Sequence, residues 1–291
     1  MAWTTTPIPV IVVALIALHF IAWWGLRLSL YLFHQSVGVA RKVRGREDVS
    51  GLSKRFRTSF PRTTGILVAR LTPEHHTGLA LTLVVVAAIY LASLFGGLVE
   101  DLMEADELVR VDEGINQWLD VIRTDTMVEI FTWLTELGGS PTAIAVALVT
   151  TGLLWGHPRR HMIVPLWLTI LGSQLTTYTG KFVMARPRPE FVTDVVATTP
   201  SFPSGHATTA LAVYGFIAYI IASDLTTTRQ RFELVYWSAV LIALIGFSRM
   251  LLAVHYTSDV AAGFLVGSFW LLVGFALAEH KQRRTPTKTQ Q

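Results

Sequence analysis

Seven apolar stretches govern what this chain can fold into, at residues 9–32, 79–99, 142–155, 162–178, 207–222, 234–254 and 260–278. A helix needs about 20 mostly apolar residues to cross a hydrocarbon core, because lipid offers the backbone no hydrogen-bond partners. The stretches at 142–155 and 162–178 are short, and HPRRH between them, His157 to His161, reads as a tight turn at headgroup level. The composition agrees: 52% of the residues are hydrophobic and 15% charged, against about 25% charged in soluble domains. The pattern predicts an all-α, polytopic transmembrane helix bundle. A net charge of +4 could suggest nucleic acid. The basic residues border apolar runs, however, which assigns them to lipid headgroups and to orientation. The chain has no cysteine, which excludes disulfides, thiol nucleophiles and thiolate metal sites.

Lysine and arginine collect in loops that stay on the cytoplasmic side. Residues 36–78 carry nine of them against three acidic residues, so that loop is expected inside. HPRRH, the Arg229/Arg231 turn and the tail with Lys281, Arg283, Arg284 and Lys288 fall on the same side by alternation. Residues 100–140 hold eleven acidic residues against Arg110 and Arg123, and are expected outside together with the N-terminus. The first stretch lacks a preceding positive charge, so it reads as a retained anchor and not a signal peptide. Within it, His19 reads as a packing residue and Arg27 as a snorkelling one. Between Val111 and Leu137, acidic and apolar residues alternate, with Ile115, Trp118, Leu119 and Ile122 and then Val128, Phe131, Trp133 and Leu134 at helical spacing. Amphipathic helices on the outer face are expected there, ended by Gly138 and Gly139.

Three polar groups sit at the outer ends of the stretches. Lys181, Arg186 and Arg188 follow the fourth, SFPSGH (Ser201 to His206) precedes the fifth, and SRMLLAVHYTSD (Ser248 to Asp259) joins the sixth to the seventh. Ionisable residues at membrane depth are costly and usually functional, and here all three groups share one side. Lys181, Arg188 and Arg249 supply three cations suited to phosphoryl oxygens. Pro203, Ser204 and Gly205 open a helix whose free N–H groups can hold another oxygen. His206, in its first turn, is placed to protonate a leaving oxygen. His255 and Asp259 are one helical turn apart, so the carboxylate can hold one ring nitrogen and leave the other free to attack. Arg186, alternating with Arg188, reads as facing lipid phosphate.

KFVMARPRP, PSGH and SRMLLAVHYTSD together resemble the type 2 phosphatidic acid phosphatase superfamily, in its integral membrane lipid phosphatase branch, from about Leu79 to Ala278. The resemblance implies a six-helix phosphatase core with both ends cytoplasmic, and one extra N-terminal transmembrane helix. The chain then divides into an anchor at 1–35, a basic cytoplasmic loop at 36–78, the core at 79–280 with an outer amphipathic segment at 100–140, and a basic tail at 281–291. His255 resembles the nucleophile that becomes a phosphohistidine, Asp259 its orienting partner, and His206 the general acid. Lys181, Arg188, Ser204, Gly205 and Arg249 match the phosphate cradle. The resemblance implies no metal and no other cofactor.

Implied substrates are membrane lipid phosphates: phosphatidic acid, phosphatidylglycerol phosphate, or polyprenyl diphosphates such as undecaprenyl diphosphate. A site on the outer face of a bacterial plasma membrane favours the polyprenyl carrier, with a glycerolipid as near rival. Three alternatives stand beside this. A lipid phosphotransferase would use the same histidines with a lipid acceptor. A vanadium haloperoxidase shares the anion cradle but is soluble. A non-enzymatic lipid-binding protein would not need His206, His255 and Asp259 together.

Overall fold

The computed structural model describes residues 8–44, 79–104, 106–190 and 198–284, in which the regular structure is all helical, with no strand. The basic loop beyond Arg44, Ala105 and most of the C-terminal tail lie outside them. Two compact units emerge, Met1–Thr82 and Leu83–Gln291.

The first unit contains α1, Ile8–Arg44. At 1.5 Å per residue it exceeds the thickness of a hydrocarbon core, and its apolar part, Ile11–Leu32, has no buried position. Val12, Val13 and Leu18 stand open on different sides of it, the all-round apolar surface of a helix whose solvent is lipid. Arg27 lies 5.7 Å from both the Trp23 and Trp24 rings, so its charge rests on aromatic faces.

The second unit begins with α2, Leu79–Glu104, of which all but the first turns belong to it. Then come α3, Asp106–Asp120, and α4, Asp125–Thr135, which Thr124 caps by accepting from the Met127 N–H. Next are α5, Ser140–Trp155; α6, Ile163–Met184; α7, Gly205–Ala222; α8, Thr228–Leu251; and α9, Thr257–Arg284. All seven apolar stretches fall on helices, except that the sixth runs on past Leu251 into the turn after α8. By length and apolarity, five helices among the described residues qualify as spans, and the pair Asp125–Gly138 and Ser140–Trp155, bent by 46°, is a broken span or a re-entrant loop. Gly138 and Gly139 end this helical segment, as the sequence suggested, and mark the bend before α5. Trp118 and Trp133 lie on the exposed faces of α3 and α4 while Leu119, Met127 and Phe131 are buried.

Helix α6 is long enough to span but is absent from the apolar set because it carries a hydroxyl-rich stripe. Those hydroxyls satisfy themselves on the helix: Thr169 donates to the Pro165 carbonyl, Ser173 to Ile170 and Thr176 to Gly172, which makes the stripe tolerable away from water. Helix α7 is central and touches α5, α6, α8 and α9. Val213, Phe216 and Ile220 of α7 pack with Ala143 and Ala147 of α5, Leu166 and Ile170 of α6, and Ala278 of α9. This packing aligns the C-terminal ends of α6 and α8 with the N-terminal ends of α7 and α9.

Candidate active site

Where those four ends meet, backbone geometry sets the side chains. Helix α6 stops because Ala185 takes a left-handed conformation (φ 44°) and Pro187 and Pro189 follow, none of which continues a helix. Gly180 allows the next loop to lie against α6, since a Cβ there would stand 2.9 Å from Pro203 Cδ. Helix α7 starts at Ser204, whose buried Oγ accepts from the Ala207 N–H. Helix α8 ends in a tight turn through Ala253 (φ 52°), where the Val254 and His255 N–H groups both donate to the Arg249 carbonyl. That turn presents His255 two residues before α9 begins.

A pocket of about 160 Å³ results, lined among others by Lys181, Arg188, Gly205, His206, Arg249 and His255. Six of the sequence candidates thus share one cavity. Ser204 and Asp259 lie behind it: the Ser204 hydroxyl caps α7, and its N–H donates to the Asp259 carbonyl at 2.9 Å, tying the two helix starts together.

The cations are held in different ways. Lys181 Nζ donates to the Pro200 carbonyl at 2.5 Å. Arg188 donates to the carbonyls of Thr199 and Val254, and its Nη1 stands 3.2 Å from Nε2 of His255. Arg249 Nη1 donates to Thr135 Oγ1 at 2.8 Å, while its buried Nε–H has no acceptor among the described residues. Behind the pocket, His255 Nδ1 faces Asp259 Oδ2 at 3.4 Å, leaving Nε2 toward the cavity. Burial, reinforced by Arg249 and Arg188 against the pull of Asp259, pushes the His255 imidazole down to about 3, so the ring is neutral near pH 7.

The sequence placed Arg186 toward lipid phosphate, and the structure corrects this. Its Nη1 donates to Asp259 Oδ1 at 2.6 Å and its Nη2 to Asp112 Oδ2 at 2.8 Å, with the guanidinium 4.3 Å from the Tyr256 ring centre. Two acidic partners held it inward. Asp112 and Thr135 were also missed. Asp112 had left a signal: with Leu108, Ile115 and Leu119 it falls on one stripe of α3, an acidic residue in phase with the apolar face. Thr135 left none, being an ordinary residue three positions before a glycine. The pocket floor adds Gln174, whose Nε2 donates to Thr209 Oγ1 at 2.7 Å.

A family model for the PAP2 superfamily matches residues 162–283, which include every candidate from Lys181 to Asp259. Phosphatidylglycerophosphatase B of Bacillus subtilis (strain 168) is 33% identical over 168 residues, 56% of this chain and 82% of that protein. The crystal structure of the first transmembrane PAP2-type phosphatidylglycerolphosphate phosphatase from Bacillus subtilis superposes with a TM-score of 0.61 at 26% identity, covering 69% of this chain and 98% of that one. With its apolar helices and this likeness over most of a relative's length, the chain belongs to the PAP2 superfamily and is an integral membrane lipid phosphatase.

Proposed function

We propose that the enzyme cleaves its lipid phosphate in two steps, with His255 as nucleophile and His206 as general acid. One observation carries most weight: three cations and two imidazoles face one small pocket, and a buried Arg249 N–H there still lacks an acceptor. A buried charged donor without a partner is costly, and a phosphoryl oxygen would satisfy it. In the first step the lone pair of His255 Nε2 forms a bond to phosphorus as the bond to the lipid oxygen breaks, and His206 gives that oxygen a proton. Asp259, facing Nδ1, balances the positive charge that the ring gains. In the second step His206 takes a proton from water, the water oxygen bonds to phosphorus, and the P–N bond breaks to release phosphate and neutral His255. Lys181, Arg188, Arg249 and the backbone N–H groups that open α7 offset charge on the phosphoryl oxygens throughout. Those cations leave no step that requires a metal.

The likeness to phosphatidylglycerophosphatase B of Bacillus subtilis favours a glycerolipid phosphomonoester, phosphatidylglycerol phosphate, as substrate. The charge pattern of the loops supports a second reading. It directs the pocket end of the bundle outward, where a polyprenyl diphosphate would be met. Phosphate release from phosphatidylglycerol phosphate, phosphatidic acid and a polyprenyl diphosphate, each in detergent with EDTA, ranks the substrates; activity lost in EDTA and restored by magnesium would overturn the metal-free reading. Transfer of labelled phosphoryl to an added lipid alcohol instead of water would make the enzyme a phosphotransferase. Orientation has its own test in a chain without cysteine. A membrane-impermeant thiol reagent on intact cells is expected to label Thr198→Cys, beside the pocket, and to spare His157→Cys at the other end; the reverse pattern puts the chemistry in the cytoplasmic leaflet.

A further inference from the structure

The pocket's nucleophile stands at the end of a buried chain of charges that starts outside the family match. Asp112 of α3 is almost wholly buried. Its Oδ1 accepts from the Ser258 N–H at 3.0 Å and its Oδ2 from the Ser258 hydroxyl and from Arg186 Nη2. Arg186 Nη1 donates onward to Ser258 Oγ at 2.8 Å and to Asp259 Oδ1 at 2.6 Å. That leaves the second Asp259 oxygen, Oδ2, to accept from the Tyr256 N–H at 2.9 Å and to face His255 Nδ1. Both oxygens of Asp259 are therefore assigned, and the carboxylate cannot rotate without breaking a charged hydrogen bond. The same outer segment grips the other end of the His255 loop. Arg123, in the turn after α3, donates to the Met250 and Leu251 carbonyls at the end of α8, where a cation suits the helix dipole.

We propose that Arg186, anchored by Asp112, is a positioning residue for the phosphoryl-transfer step: it fixes which oxygen Asp259 shows to His255 and so sets the aim of Nε2. This rests on the reading of His255 as the nucleophile. The charges give the arrangement a second consequence. Asp112, Arg186 and Asp259 sum to one negative charge, which matches the single positive charge His255 gains when Nε2 bonds to phosphorus. Without Arg186 two carboxylates would face each other through Ser258, and the imidazole would be drawn toward its protonated, non-nucleophilic form. The other groups facing His255 are cationic or titratable from the remaining elements: Arg188 from the α6–α7 loop, Arg249 from α8, and more distantly Lys181 of α6 and His206 of α7. Tyr256 and Asp112 face Arg186. Arg186 is thus the cation bonded to the carboxylate that holds the nucleophile.

The test compares Arg186→Gln, Arg186→Lys and Asp112→Asn with the parent in detergent, using phosphatidylglycerol phosphate, rapid-quench phosphoenzyme labelling and the ring titration of His255 by NMR. Arg186→Gln is expected to slow phosphoenzyme formation roughly 10- to 100-fold, by analogy with the loss of the outer partner of a metal-ligating imidazole, with KM little changed and the His255 titration midpoint raised. Arg186→Lys restores the charge without the two-pronged geometry, so it returns the midpoint but only part of the rate. Asp112→Asn slows labelling in the same way without raising KM. A purely structural role would lower the yield of folded protein while leaving the rate per folded molecule and the midpoint unchanged, and that result overturns the proposal. Absence of labelled histidine in the parent would instead refute the phosphohistidine reading. If Arg186→Gln does not fold, Arg186→Lys decides: full parental rate of labelling would show that aim does not depend on the guanidinium fork.

Discussion

The two ends of the bundle formed by α6 to α9 both hold charged side chains, and they hold them differently. At the pocket end Lys181, Arg249, His255, Asp259 and Asp112 are buried, and the ions there are linked through side chains from four helices and two loops. At the other end Arg159 pairs with Asp224 at 2.7 Å, but the two side chains are 21% and 53% exposed. Tyr219 there donates to Glu279 at 2.9 Å, also in an exposed setting. Taking an ion out of water costs several kcal/mol, whereas an exposed pair costs little and contributes about 0–1 kcal/mol. A fold keeps the first kind of charge only where its partners are fixed or its function requires it, and the second kind serves well enough to finish a helix near the headgroups.

The contrast breaks or holds first at His255. His255→Ala removes the nitrogen proposed to attack, and turnover is expected to fall by roughly 10⁴-fold or more, as when a nucleophile is deleted elsewhere. Rapid-quench labelling is then expected to show no acid-labile phosphoenzyme; label at the parental level would assign the nucleophile to another residue. His206→Ala comes next. Loss of a general acid is expected to cost about 10²- to 10⁴-fold with an alkyl phosphate and much less with a p-nitrophenyl leaving group, which departs without a proton. Equal losses on both substrates would mean that His206 binds phosphate and does not protonate the leaving oxygen.

A smaller but sharper effect concerns pH. With burial pushing His255 down to about 3, its ring gains a proton only in strong acid, below an ordinary histidine's range near 6.5. The sign is definite: over about pH 5 to 8 the free enzyme is expected to keep Nε2 unprotonated, and acid limbs of kcat/KM there belong to substrate or to other groups. Imidazole nitrogen shifts of His255 that move through that window would show the site to be wetter than its burial implies.

Much of this was legible in the sequence, for physical reasons that can be named. Each apolar stretch became a helix because lipid permits little else, and the spacing of Lys181, Arg188, His206, Arg249 and His255 survives as one pocket because four helix ends meet there. Two features escaped. Gly138 and Gly139 are a stop, as read, but their second role was hidden: a Cβ on Gly138 would stand 2.5 Å from Ile245 Cγ2 and 3.2 Å from the His206 carbonyl, so the glycine also serves close approach beside the site. Arg186 looked like a lipid contact since its two acidic partners lie 74 residues upstream and 73 downstream. A charge whose partners are that remote cannot be told from a snorkelling one by local pattern, and only the placing of α3 against the start of α9 distinguishes them.

The least effect is expected at the far end, and it carries the comparison's other half. Arg159→Ala removes the pair with Asp224 and the 2.8 Å hydrogen bond to the Ser223 carbonyl. The pair's exposure limits its electrostatic part to about 0–1 kcal/mol after screening, and the carbonyl at the end of α7 can turn to water or headgroup. Thermal unfolding in detergent is therefore expected to shift by only a few degrees, and phosphate release per folded enzyme not at all, because among the described residues no chain of bonded charges runs from this end to the pocket through α7. A loss of turnover comparable to that of His206→Ala would show that the two ends are coupled along α7, and that exposure is a poor guide to which charges in this bundle matter for catalysis.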